Sequence, residues 1–122
     1  MGKSLFNGIH YFRIPVINLG ESLSWYSECL KLKLRFKKDD LAVFELETGP
    51  LLVLVEADIN SRGHFLKDGQ AEFSVGFTTQ NINELYKYLL SQDVKVESIQ
   101  EDEGHHFFYF YDLNGNKLQV HN

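Results

Sequence analysis

The sequence predicts an α+β fold made of two successive βαβββ modules, about residues 8–56 and 72–121, in a single domain spanning 1–122. Three observations carry that expectation. Two amphipathic stretches, each opened by an asparagine, follow a short alternating run and precede three further strand-like runs. A single offset of 63, the difference between Asn18 and Asn81, also carries Tyr11 to Ser74, Phe12 to Val75, Leu19 to Ile82 and Glu56 to Gln119. An internal repeat of this kind constrains a fold more than any single propensity. Finally, the chain closes on an aromatic run, Phe107–Tyr111, then a turn containing Asn114-Gly115, then an alternating segment ending in Leu118, Val120 and His121. Aromatic residues suit a pleated, half-buried surface, and Asn-Gly tolerates the positive φ of a tight hairpin turn.

Taken in order, residues 9–16 alternate, with Phe12, Ile14 and Val16 on one face and Tyr11 and Arg13 on the other. Asn18 can cap a helix running through Glu28, whose stripe is Leu19, Leu23, Tyr26 and Leu30. Three strands are expected at about 32–37, 41–47 and 51–56, and the polar, glycine-containing stretch 57–71 reads as a linker or mobile loop. The second module opens with a strand at 73–79, in which Phe73, Val75 and Phe77 face one way and Ser74, Gly76 and Thr78 the other. Asn81 caps a second helix carrying Ile82, Leu85, Leu89 and Leu90, and strands at about 94–99, 105–112 and 117–121 complete the chain.

A chain of 122 residues is long enough to bury a real core. Its formal charge of −5 argues against nucleic acid or an acidic membrane surface as partner. No apolar run approaches the roughly 20 residues that span a bilayer, and Met1–Leu5 does not read as a signal peptide. The single Cys29 excludes an internal disulfide, reads as an inert and partly buried thiol, and suits a cytoplasmic location.

Three motifs give these patterns a family. Asn18-Leu19-Gly20-Glu21-Ser22-Leu23-Ser24-Trp25-Tyr26 resembles the D-L-x-x-S-x-x-F-Y first helix of the vicinal oxygen chelate superfamily, which includes glyoxalase I, bleomycin-resistance proteins, fosfomycin-resistance thiol transferases and extradiol dioxygenases. Asp112-Leu113-Asn114-Gly115-Asn116-Lys117-Leu118-Gln119 resembles its closing D-P-D-G-N-x-x-E hairpin, and Phe77–Leu85 its second strand–helix junction. The resemblance implies that the two modules curve into a half-open mixed sheet with the helices on its outer face, and it implies a homodimer. It also implies a divalent metal held by the first and last strands of each module. In this sequence those positions fall on Tyr11, Glu56, Ser74 and Gln119. Only Glu56 is a usual ligand type; tyrosine, serine and glutamine lack the charge and basicity that such ions require. No metal and no cofactor are therefore expected.

The face opposite the helices is then expected to hold Tyr11, Arg13, Glu56, Ser74, Thr78, Gln119 and His121, a mixed polar lining suited to a small-molecule ligand. Arg13 on an interior face needs an acidic partner or a bound anion, and Glu56 is the candidate partner. Left exposed, Arg13 needs neither. His121 is either a pocket residue or a frayed terminus. His105 and His106 are adjacent, so in a strand they face opposite sides, and His64 reads as a solvated loop residue. A bulge in the first strand would instead bring His10 beside Glu56 and His121 as a metal site. Glu101-Asp102-Glu103 reads as a solvated acidic turn. The favoured function is metal-free binding of a small, planar ligand. The alternative is a metal-dependent lyase or thiol transferase of the glyoxalase I or fosfomycin-resistance type.

Overall fold

The computed structural model describes residues 2–122; of the Met1–Leu5 segment, Met1 lies outside that range. The first module comprises β1 (Tyr11–Val16), α1 (Leu19–Ser24, continued by a π-helical turn Trp25–Cys29), β2 (Lys33–Lys38), β3 (Leu41–Glu45) and β4 (Leu51–Glu56). A hairpin of β5 (His64–Lys67) and β6 (Gln70–Phe73) follows. The second module comprises β7 (Gly76–Thr78), α2 (Ile82–Ser91), β8 (Gln100–Asp102), β9 (His105–Tyr111) and β10 (Lys117–His121).

Each module is a four-stranded sheet of the same order, β1-β4-β3-β2 and β7-β10-β9-β8. In both, the first and last strands run parallel, because the intervening helix returns the chain to the same end. Both helices are capped as expected: the Asn18 and Asn81 side chains accept from the backbone N–H groups of Glu21 and Glu84 at 2.9 and 3.1 Å. The helices cover the sheet faces bearing Ile14, Val16, Phe44, Leu52 and Leu54 in one module and Phe108, Phe110, Leu118 and Val120 in the other, and these residues form one continuous buried core.

The Asp112–Asn116 turn joins the modules. Asp112 Oδ2 accepts from the Tyr26 phenol at 2.6 Å and the Asn116 amide at 2.8 Å, while Oδ1 accepts from the Asn114 and Asn116 backbone N–H groups. The Asn116 amide also donates to the Pro15 carbonyl, and the Asn114 amide donates to Ser22 Oγ while its oxygen accepts from the Ile17 N–H. Ser22, Asp112 and Asn116 are all buried. Burial and the Asp112 carboxylate push the Tyr26 phenol well above its usual pKa, so it remains the donor. The first-helix and closing-hairpin motifs thus meet each other, and they hold the halves together.

Three expectations are corrected. Residues 57–71 are not a plain loop, since β5 and the first half of β6 lie there. The 73–79 strand is split: β6 ends at Phe73, and the chain rejoins the second sheet only at Gly76. Phe73 leans on Tyr109 with ring centroids 5.7 Å apart, on the face away from the helix rather than towards it. Residues 94–99 are irregular. They touch β9 through the Val96–Phe110 bridge and two flanking backbone hydrogen bonds, and regular pairing begins at Gln100.

Candidate functional site

Two faces point away from the helices, one in each sheet. In the first, Tyr11 and Arg13 of β1 lie beside Leu51 and Val53 of β4, and Val53 pairs in turn with Val43. Tyr11 is exposed and meets His10 edge-on at 5.3 Å. Val43 and Val53 form a buried floor, and Phe36 across from Val43 is exposed.

Glu56 is not on this face. It pairs in register with Val16, a core residue, and its Oε2 accepts the Leu19 N–H at 2.9 Å, at the start of α1. Its carboxylate therefore serves the positive end of the helix. The expected Arg13–Glu56 pair is absent for the same reason: among the described residues no acid lies within 4 Å of Arg13, which is exposed. The misplacement has a definite origin. Val43 and Val53 pair as Tyr109 and Gln119 do, so the closing hairpins superimpose with an offset of 66, the difference between 53 and 119. Three extra residues between helix and hairpin in the second module make Val53, not Glu56, the counterpart of Gln119.

The second face is the richer one. Gln119 lies between Gly76 of β7 and Tyr109 of β9, and His121 lies between Thr78 and Phe107. A Cβ at Gly76 would come within 3.2 Å of Gln119 Oε1, so glycine leaves that amide its room. His121 is half-buried, with Nδ1 3.0 Å from the Asn122 carbonyl. Beside this polar row run Phe107, Tyr109 and Tyr111, with Phe107 and Tyr109 edge-to-face at 5.8 Å. Ser74 is exposed at the break between β6 and β7.

Lysines cap the aromatic row. Lys117 Nζ sits 4.4 Å from the Tyr109 ring centre, donates to the Ala71 carbonyl at 3.1 Å and lies 3.9 Å from Glu97 Oε2. Lys95 Nζ lies 4.5 Å over the Tyr111 ring. Glu97 Oε2 accepts the Tyr111 phenol, and burial together with that carboxylate pushes Tyr111 up to about 12. Tyr109 is raised by burial and by the Glu72 and Glu97 charges, with a Gln119 hydrogen bond acting against them. Both phenols therefore offer a proton rather than a base at neutral pH. Alternation with Gln119 and His121 puts Lys117 on this face. Glu97 and Phe73 carried no such signal, because each belongs to a segment whose strand geometry is broken.

The metal implied by the resemblance does not fit these residues. Tyr11 and Gln119 stand on separate sheets, Ser74 and Gln119 are neutral, and Glu56 is engaged on the opposite face. β1 pairs with β4 without a register shift, so no bulge brings His10 into line with Glu56. Among the described residues, no group of three or more His, Cys, Asp or Glu could hold a metal ion. Burial also raises the Cys29 thiol, which leaves little thiolate for chemistry.

A cleft of about 1410 Å³ opens elsewhere, between the two modules on their helix side, with Phe12, Leu32, Phe77, Leu85 and Tyr88 among its walls. None of Tyr11, Arg13, Glu56, Ser74, Gln119 or His121 lines it.

Residues 8–120 match the model of the Glyoxalase/Bleomycin resistance protein/Dioxygenase superfamily. Among solved structures, the chain is similar to a glyoxalase family protein from Enterococcus faecalis, with a TM-score of 0.78 and 19% identity over 98% of this chain and 100% of that one. It is similar to TnmS3, an antibiotic binding protein from Streptomyces sp. CB03234, with a TM-score of 0.79 and 15% identity over 97% of each. It is also similar to lactoylglutathione lyase from Agrobacterium tumefaciens, with a TM-score of 0.74 and 17% identity over 97% of this chain and 95% of that one. At these identities the likeness is one of fold.

Proposed function

Because the chain belongs to the Glyoxalase/Bleomycin resistance protein/Dioxygenase superfamily, we propose that it is a small-molecule-binding protein that takes planar, aromatic ligands on the Tyr109–Gln119 face without a metal. One observation carries the reading: an aromatic row, Phe107, Tyr109 and Tyr111, lies directly beside a polar row, Lys117, Gln119 and His121, on a face that the helices leave free. Rings supply apolar area and stacking geometry, while the amide and imidazole fix orientation. The antibiotic-binding activity named for TnmS3 is in keeping with this reading. A lyase or transferase reaction would call for a base, whereas the phenols here hold their protons and Glu97 is committed to Tyr111.

The same proposal includes a homodimer in the cytoplasm. β1 and β7 are edge strands of their sheets, and exposed edges call for a cover. Leu5, Phe6 and Ile9 ahead of β1 are exposed as well. A second copy would cover these edges and bring Tyr11 and Arg13 towards the ligand face of its partner.

A thermal-shift screen of planar aromatic compounds tests the binding. A genuine ligand at about 100 times its Kd should stabilise the chain by roughly 2–3 kcal/mol. The double variant Tyr109→Ala, Gln119→Ala should lose that shift; hits that stabilise it equally would place the site elsewhere.

A further inference from the structure

The hairpin β5–β6 belongs to neither module's sheet; it is a two-stranded sheet of its own. An isolated hairpin is marginally stable, so its position depends on what anchors it. Here the anchors converge on one residue of β10. The Lys117 backbone N–H donates to His64 Nδ1 at 2.9 Å, and Lys117 Nζ donates to the Ala71 carbonyl at 3.1 Å. A single lysine thus holds both strands. Gly63 adds a bond from its N–H to Asn116 Oδ1 at 2.7 Å, and Phe73 rests against Tyr109. The hairpin covers the Lys117 end of the ligand face, where the lysine side chain is only 14% exposed. Its far end is free: Phe65 and Leu66 are 53% and 69% exposed, ahead of a turn at Asp68-Gly69.

We propose that β5–β6 is a lid over the Lys117 end of the ligand face, latched by neutral His64 and released when that ring is protonated. What the lid covers rests on the functional reading above; the latch itself is a property of the chain without ligand. Because Nδ1 accepts an N–H, the neutral ring carries its proton on Nε2. A second proton on Nδ1 would set donor against donor and break the bond. It would also add a positive charge beside Arg62 and Lys117, the two cations facing the ring. Asp112 is the opposing charge, and both of its oxygens are already engaged by Tyr26, Asn114 and Asn116. Glu97 lies on the far side, against the Lys117 ammonium, and Glu72 near Tyr109. Burial and the two cations hold the His64 pKa below its ordinary value. The latch is therefore closed at neutral pH and opens in acid.

Amide hydrogen exchange of the full chain without ligand, at neutral and at mildly acidic pH and corrected for intrinsic rates, tests this directly. In acid, the amides of residues 65–72 should lose about tenfold or more of their protection, while β9 and β10 keep theirs. His64→Gln, whose side chain does not titrate in this range, should show the same hairpin protection at both pH values. Unchanged hairpin protection in the native chain, or an acid loss that persists in His64→Gln, would overturn the latch. No ligand enters the experiment, so a failure of the binding proposal leaves its outcome intact.

Discussion

Removing the Glu56 carboxylate should weaken the fold and leave the ligand face untouched. Its oxygen holds the Leu19 N–H at the start of α1, so Glu56→Ala should cost about 1 kcal/mol in urea unfolding. Titration with Zn²⁺ should give the same absence of a tight isotherm before and after the substitution. A tight isotherm abolished by Glu56→Ala would return this carboxylate to a metal site. Tyr26 should matter more. Tyr26→Phe leaves the buried Asp112 without one donor at 2.6 Å, a loss of about 1–3 kcal/mol. Unchanged stability would mean that another donor reaches Asp112. Single residues were the least legible part of the sequence. Tyr11, Gln119 and His121 lie on the side that alternation assigned, but Glu56 lies on the other. A strand's period of two makes any three-residue error in alignment change the face.

Elements with strong local chemistry were legible. The asparagine caps, the apolar stripe of each helix and the strands β3, β4, β9 and β10 form within a residue or two of where the pattern puts them. What failed was governed by distant contacts. The β5–β6 hairpin is polar and short, with no alternation strong enough to signal it, and its main anchor is Lys117 of β10. That anchoring has a pH signature. The His64 pKa is lowered in the folded chain, first by burial and then by Arg62 and Lys117. Its contribution is thus fully present above the ordinary value of 6.5 and is lost as pH falls through the lowered one. Thermal unfolding should show a stability loss over that acid window in the native chain and a smaller one in His64→Gln. Equal losses would mean that other groups account for the acid sensitivity.

At the scale of the molecule, the duplicated modules and the family were readable because the first-helix and closing-hairpin motifs lie at the joint between halves. Asp112, Asn114 and Asn116 on one side meet Ser22, Tyr26 and Pro15 on the other. Those residues specify how the modules dock, which is why they identify a fold and leave the reaction open. The arrangement of the two faces was not readable. A single offset fitted β1, α1, β7 and α2, and only the closing hairpins revealed the second one. With both sheet edges open, sedimentation should give twice the mass of the 14.2 kDa chain. A monomer at every concentration would remove the second copy from the ligand site. The most direct test of the whole account is amide and aromatic chemical-shift mapping with a thermal-shift hit. Perturbations should gather on Phe107–Tyr111 and Lys117–His121; perturbations confined to Leu30–Lys33 and Thr78–Leu85 would place the ligand in the cleft between the modules and contradict it.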